Sequence, residues 1–341
     1  MSEPHDHDHH DDHNHDHDAR PDHRVASAAG HGHTHGSVDA SILTSERGIA
    51  ALRWSFVVMF VAALIQVYVY FRSNSVGLLA DTIHNFGDAG TAIPLWIAFS
   101  LAKRRPTNRF PYGFGRVEDL AGVAVVLVIL FSAASAGYES VHRFFHPEQV
   151  TNLYAVMFAS IVGCIGNEGA AIIRIRAGKE IKSAALIADG HHARIDGLAS
   201  LAVLFGALGV KLGYPIADTI VGALITLVIC KIVWDSGRSI FTRMLDGVEP
   251  ELIPQLTKIT RDTDGVLAVG AVRARWLGHR LVADLTFGVP PNITVEKGHE
   301  IAKRVQANIQ EELPHVATVI VHVDPAHELG EEHHHGHDHP D

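Results

Sequence analysis

Cysteine is nearly absent from this 341-residue chain, which has only Cys164 and Cys230, both in apolar runs. Neither a disulfide framework nor a cysteine-rich metal site can be built from two such residues. Positive charge is also scarce, since 28 basic and 38 acidic residues give a net charge of −10 with histidine neutral. A general nucleic-acid-binding protein needs a basic face, so that class is excluded. The N-terminus has no basic segment followed by an apolar stretch, and we therefore expect no cleaved secretory signal.

Histidine, by contrast, is abundant: 11 of the 26 histidines lie within residues 5–35 and five within residues 333–339. Residues 1–47 and 328–341 are almost wholly polar and low in complexity, so we expect two disordered tails. Flexible His-Asp repeats bind Zn²⁺, Ni²⁺ or Co²⁺ with little selectivity. We therefore predict that the tails collect or buffer metal; a solvated acidic tail of little consequence is the alternative.

The hydrophobic residues are concentrated between the tails, in six runs long enough to cross a bilayer, which takes about 20 residues. These runs lie near residues 50–71, 76–101, 119–138, 153–173, 184–210 and 216–237. Some of them are apolar all round the helix, which favours lipid over the two-faced helices of a soluble all-α protein. The sequence therefore predicts a six-helix transmembrane bundle over residues 48–241.

The loops give the orientation of this bundle. Five basic residues lie between spans two and three, four between spans four and five, and two after span six. The three loops on the other side of the membrane carry one basic residue each. Positive charge stays on the cytoplasmic side, so both termini are expected to be cytoplasmic. The lack of a targeting signal favours a bacterial inner membrane.

Residues 242–327 have the pattern of a water-soluble domain. An amphipathic helix is expected over 250–262, strands over 266–277 and 280–289, a helix over 294–313 and a last strand over 316–323. The order α-β-β-α-β predicts a small α+β ferredoxin-like cytoplasmic domain with its helices on one sheet face.

Spans two and five carry the same polar motif, A-D-x-x-H-x-x-x-D, at residues 80–88 and 188–196. Polar side chains inside a membrane are costly, so each needs a reason. The histidine and the second aspartate are four residues apart, so they share one helix face. Two such helices facing each other would offer two nitrogens and two oxygens, a set that suits tetrahedral Zn²⁺. The predicted ligands are His84, Asp88, His192 and Asp196.

Other interpretations of the motif stay open. Hydrogen bonds that merely hold the bundle together would also use these residues, although the repetition in two helices favours a shared metal. Asp81 and Asp189, one turn before each histidine, could position the helix or carry protons. His191 points about 100° away from His192 and is a lesser alternative ligand. The absence of thiolate pairs argues against Cu⁺.

The segment S-V-G-L-L-A-D at residues 75–81, followed by His84 and Asp88, resembles the second-helix signature of the cation diffusion facilitators. The family is also resembled by the second motif, the six spans, the His-rich tails and the α-β-β-α-β domain. The resemblance therefore covers roughly residues 45–325. It implies a homodimer that exchanges a divalent cation for protons at His84, Asp88, His192 and Asp196. A quartet with two histidines is typical of zinc-preferring members, whereas an aspartate at the first histidine goes with tolerance of Cd²⁺.

The resemblance also implies where further metal sites belong. Some members bind metal in the loop between spans two and three, but residues 107–116 offer no Asp or His, so we expect no site there. Others bind metal at the cytoplasmic dimer interface, where one histidine of the pattern is replaced by Val272 and His279 stands nearby. We therefore expect an altered or partial site, with ordinary surface residues as the alternative; the matching residues are Asp284, His299, His322 and Asp324.

Such a quartet implies a mechanism, because a His₂Asp₂ site binds metal only with deprotonated ligands. Imidazole titrates near pH 6.5, so the site can exchange a proton for a cation. The predicted activity is cation efflux coupled to inward proton flow, with Zn²⁺ as the transported cation. Zn²⁺ is also expected to act as a regulatory ligand. The alternatives are export of Co²⁺, Ni²⁺ or Fe²⁺, or a sensor or buffer that does not transport. A membrane metalloprotease is disfavoured because no HExxH motif is present.

Overall fold

The computed structural model describes residues 40–73, 92–145, 153–212 and 216–329. The apolar part of the described chain forms helices that we number α1 to α6. Their bounds are Ala40–Ser73, Ala92–Ala102, Arg116–Phe145, Leu153–Ile181, Ala184–Lys211 and Ile216–Met244. Of the predicted second span, only the part from residue 92 onward is described.

Three of the described helices contain segments long and apolar enough to cross a membrane: Leu43–Arg72, Arg116–Ser135 and Tyr154–Ile181. Helix α5 carries three charged residues in its first half, at positions 189, 194 and 196, which lowers its hydropathy. Large apolar side chains such as Phe60, Leu64, Leu127 and Leu227 are exposed on the outer surface of the helices. An apolar surface of this extent is typical of a protein whose solvent is lipid.

Close contact between α4 and its neighbours depends on small residues. Helix α4 packs against α1 and α5, and α5 also packs against α6. A Cβ at Gly166 would lie 2.5 Å from the Ala62 Cβ, and one at Gly190 would lie 3.0 Å from the backbone nitrogen of Ile175. Side chains larger than hydrogen would force these helices apart, so the glycines set the spacing of α1, α4 and α5.

The cytoplasmic domain has the predicted element order. Its elements are α7 (Leu252–Arg261), β1 (Ala268–Leu277), β2 (Arg280–Val289), α8 (Val295–Glu312) and β3 (Val316–Pro325). In its small mixed sheet, β2 lies between β1, its antiparallel partner, and β3, its parallel partner. Helices α7 and α8 contact each other and the edge strands. They enclose a core that includes Leu256, Trp276, Leu285, Phe287, Val305 and Ile309.

The turn between β1 and β2 contacts the ends of α1, α2 and α3. The His279 Nδ1 lies 2.6 Å from the Glu118 Oε2 of α3, and both side chains are buried. The backbone N–H groups of His279 and Gly278 donate to the carboxylates of Glu118 and Asp119. Gly278 has a φ of +64°, and an added Cβ would lie 2.8 Å from the Gly115 carbonyl oxygen. Only glycine fits this turn against α3.

Two more helices contact the same histidine. Its ring lies 5.9 Å, centroid to centroid, from that of Phe99 on α2, and its Nε2 lies 3.4 Å from the Ser45 Oγ of α1. Since its Nδ1 is held by Glu118, His279 belongs to this junction between the two domains. Its proximity in sequence to the predicted cytoplasmic metal site does not indicate its role.

Arg243, at the end of α6, completes the junction. Its guanidinium donates to the carbonyl oxygens of Lys182 and Gly278 and lies over the Trp276 ring at 4.3 Å. The Trp276 Nε1 donates to Glu249, 3.1 Å away. Burial acts to raise the pKa of Glu249, but hydrogen bonds and the positive charge of Arg243 outweigh it and lower this pKa. Glu249 is therefore ionised at neutral pH, where it can pair with Arg243.

Replacing Glu118 by alanine is expected to destabilise the protein by about 2–4 kcal/mol, because it leaves the buried His279 ring and the His279 backbone N–H without their acceptor. Denaturant unfolding of the purified full chain measures the loss. The matched control is Glu180→Ala, which breaks an exposed ion pair with Arg47. That control should cost less than about 1 kcal/mol; equal losses in the two variants would contradict a structural role for the Glu118–His279 contact.

Candidate metal site

His192 and Asp196 lie on the same face of α5, as their spacing predicts. Both are buried, with exposed fractions of 1% and 5%. The His192 Nδ1 is 3.5 Å from the Asp196 Oδ2, so the two side chains can approach a common atom. This pair is the half of the predicted quartet that the structure describes. His84 and Asp88 lie outside the described residues, and their part in the site stays a prediction.

Polar side chains of α1 and α4 line the interior beside this pair. Asn167 is buried, and a Cβ at Gly197, one residue after Asp196, would lie 3.5 Å from its Cβ. The Gln66 side chain is fully buried and donates to the Ala159 carbonyl oxygen at 3.2 Å. Buried amide side chains of α1 and α4 therefore lie close to α5.

Asp189, the first aspartate of the motif, forms a fully buried ion pair with Arg174 of α4. The Arg174 Nη1 lies 3.0 Å from the Asp189 Oδ2, and neither side chain is exposed. The same guanidinium donates to the Ser55 Oγ of α1 at 2.9 Å and lies 3.4 Å from the Met59 Sδ. Arg174 thus joins three helices one turn before His192. This contact supports the positioning role for Asp189, and it gives Arg174 a partner that a count of loop charges does not reveal.

A second ion pair fixes α5 against α4 between the two candidate ligands. Arg194 donates twice to Glu168, from Nε at 3.1 Å and from Nη2 at 2.6 Å. A bidentate pair of this kind constrains direction as well as distance. Arg194 lies between His192 and Asp196 in sequence, so the pair restricts rotation of the helix that presents both candidate ligands. This role of Arg194 is not evident from the sequence, because its partner is 26 residues away.

The four candidate residues of the cytoplasmic domain are only partly brought together. The His322 Nε2 lies 2.8 Å from the Asp324 Oδ1, both on β3. Asp284 lies on β2 opposite Arg273 and Ile320, and His299 lies on α8. In the described part of this single chain, no group of three or more His, Cys, Asp or Glu side chains could hold a metal ion. The set of Asp284, His299, His322 and Asp324 stays a prediction.

Two family models match almost the whole region between the tails. The cation efflux transmembrane domain matches residues 52–245. The cytoplasmic domain of cation efflux proteins matches residues 248–326. The first match alone spans more than half of the chain.

Individual proteins are similar over the same region. A probable cation efflux system protein of Mycobacterium tuberculosis is 47% identical over 297 residues, 86% of this chain and 90% of that protein. The magnetosome protein MamB of Paramagnetospirillum magneticum is 28% identical, over 80% of this chain and 93% of its own. The manganese efflux system protein MneP of Bacillus subtilis is 26% identical, over 76% of this chain and 90% of that protein.

Among solved structures, a variant of the MamM CTD in a manganese form is 31% identical. The match covers 23% of this chain and 99% of the MamM chain, with a TM-score of 0.22. The family matches, with the relative that is 47% identical, decide the assignment. The chain belongs to the cation diffusion facilitator family of membrane proteins that export divalent metal cations.

Proposed function

We propose that this protein exports Zn²⁺ in exchange for protons, through one site formed by His84, Asp88, His192 and Asp196. The observation that carries the proposal is the buried His192–Asp196 pair on one face of α5. Span two repeats the same residues at the same spacing. Two imidazoles and two carboxylates match the nitrogen and oxygen ligands and the tetrahedral geometry that Zn²⁺ prefers.

Proton exchange follows from the chemistry of these ligands. Each must lose its proton before it can bind a cation, so metal and protons compete for the same atoms. Facing the cytoplasm, the site loses protons and takes metal; facing a more acidic medium, it releases metal and takes protons. Rocking of the helices around a fixed central site would open it to one side at a time.

The finer architecture that we propose has α1 to α6 as six spans, with both termini on the cytoplasmic side of a bacterial inner membrane. The cytoplasmic domain is ferredoxin-like and joins two copies into a homodimer. There, Zn²⁺ acts as a regulatory ligand at a partial site. Its proposed ligands are Asp284, His299, His322 and Asp324.

The transported metal is the part of the proposal with the strongest rivals. Imidazole also suits Co²⁺, Ni²⁺ and Fe²⁺. The relative MneP is named for manganese. A protein that binds metal without moving it would act as a sensor or buffer.

A side-by-side flux measurement separates these possibilities. The full chain in proteoliposomes, with a metal-sensitive dye inside and an imposed pH gradient, is given Zn²⁺, Cd²⁺, Co²⁺, Ni²⁺, Fe²⁺ or Mn²⁺. We expect gradient-driven uptake that is fastest for Zn²⁺ at equal concentration. Faster uptake of another metal would overturn the zinc assignment, and binding without uptake would overturn transport itself.

A further inference from the structure

A cavity of about 100 Å³ lies between α5 and α6. Its polar lining comes from His191, Asp235, Ser236 and Ser239, and its apolar lining from Ala184, Ile187 and Ala188. Because a water molecule takes up about 30 Å³ of liquid, this volume holds a cation with only a few waters. The cavity is therefore large enough for a partly hydrated ion.

Two polar atoms at this cavity are buried and have no hydrogen-bond partner among the described residues: the His191 Nδ1 and the Ser236 Oγ. Ser236 is only 5% exposed. A buried polar atom without a partner is costly, so its presence beside an empty volume indicates that something polar completes it. An imidazole, a hydroxyl and the nearby Asp235 carboxylate are ligand types that a divalent transition metal accepts.

We propose that this cavity is a second metal site, in which His191 and Asp235 hold a partly hydrated divalent cation on its way to His192 and Asp196. The role as a staging point depends on the proposed transport function, whereas binding in the cavity does not. His191 directly precedes His192, so the two histidines are neighbours along α5 and point about 100° apart around the helix.

Nearby positive charges make this a weak site. The Lys231 Nζ lies 2.8 Å from the Asp235 Oδ2, and the charges of Arg194 and Lys179 also act on His191. A bound cation competes with all three and keeps several waters. Low affinity suits a point of passage, where an ion must bind well enough to enter and loosely enough to leave.

Zinc-edge anomalous diffraction from crystals of the full chain in ZnCl₂ tests binding directly, because metal held by flexible tails gives no ordered peak. We expect a peak in the cavity next to His191 in the unaltered protein, and no such peak in His191→Ala or Asp235→Asn. No peak in the unaltered protein, or a peak that survives both substitutions, would overturn the site.

Flux kinetics test the staging role. We expect His191→Ala to raise the KM for Zn²⁺ at least about tenfold, because it removes a proposed ligand of the cavity and loss of even a supporting group costs roughly 10–100-fold. Its kcat should stay close to the unaltered value. The control, His327→Ala, removes an exposed histidine and should change neither constant. A lower kcat at unchanged KM would contradict staging, and a peak in the cavity without any flux would defeat the transport function but leave the site standing.

Discussion

Replacing Asp196 by alanine is expected to lower Zn²⁺ flux into proteoliposomes by more than about a hundredfold. Loss of a group that only supports a metal ligand costs roughly 10–100-fold, and loss of a ligand itself costs more. Asp196 is buried on the face it shares with His192, so neither water nor a neighbouring exposed carboxylate can readily replace it. Initial rates of dye-reported uptake measure the effect.

The control for this prediction is Asp264→Ala, the same substitution at an exposed position of the cytoplasmic domain. It should transport at the unaltered rate. The unfolding transition of each variant is recorded so that misfolding is not mistaken for loss of the site. An Asp196→Ala protein that folds and transports normally would remove Asp196 from the metal site.

Replacing Asp189 by leucine is expected to destabilise the protein by about 3–5 kcal/mol, because it leaves the Arg174 guanidinium charged and buried without its partner. Both side chains of this pair are fully buried, so solvent screens the loss very little. The double variant Arg174→Met/Asp189→Leu should recover most of the stability, since apolar residues of similar volume can replace a buried ion pair at little cost. Denaturant unfolding of the two single variants and the double variant gives the coupling energy.

An exposed pair provides the comparison for this cycle. Lys297 and Glu300 are also joined by an ion pair, at 2.8 Å, but both are more than half exposed. Glu300→Gln should leave the unfolding transition unchanged. If the effects of Arg174→Met and Asp189→Leu simply add in the double variant, the two residues do not act as a pair.

The cytoplasmic domain could be predicted closely from the sequence. Strands β1 and β2 end and begin at Leu277 and Arg280, as predicted, because apolar alternation marks each strand and a glycine marks the turn. Thr294, the predicted start of α8, is its N-cap and accepts the Lys297 N–H at 3.2 Å. Local chemistry determines both boundaries, and local chemistry is what a single sequence contains.

The ends of the membrane helices were predicted less well. An apolar run near 216–237 predicted α6, but the helix continues to Met244, and α1 begins at Ala40 rather than near residue 50. The apolar run reports the thickness of the hydrocarbon layer. The backbone hydrogen bonds of a helix continue beyond that layer wherever the side chains allow it, so hydropathy does not mark the last turn.

The shared face of His192 and Asp196 could be predicted because both residues lie on one helix, where their spacing fixes it. The ion pairs around it could not. Arg174 has the sequence context of a cytoplasmic loop charge, and only the packing of α4 on α5 shows it buried against Asp189. The same holds for Glu118 and His279, which are 161 residues apart in the chain. Contacts between distant elements depend on tertiary packing that residue spacing does not encode.

The central claim is that one site, shared by span two and α5, exchanges Zn²⁺ for protons. The most direct measurement records Zn²⁺ entry and proton exit in the same proteoliposomes, for the unaltered chain, Asp88→Ala and Asp196→Ala. We predict both fluxes in the unaltered protein and the loss of both in either variant. Zinc entry without proton exit, or undiminished entry in Asp88→Ala, would contradict a shared exchange site.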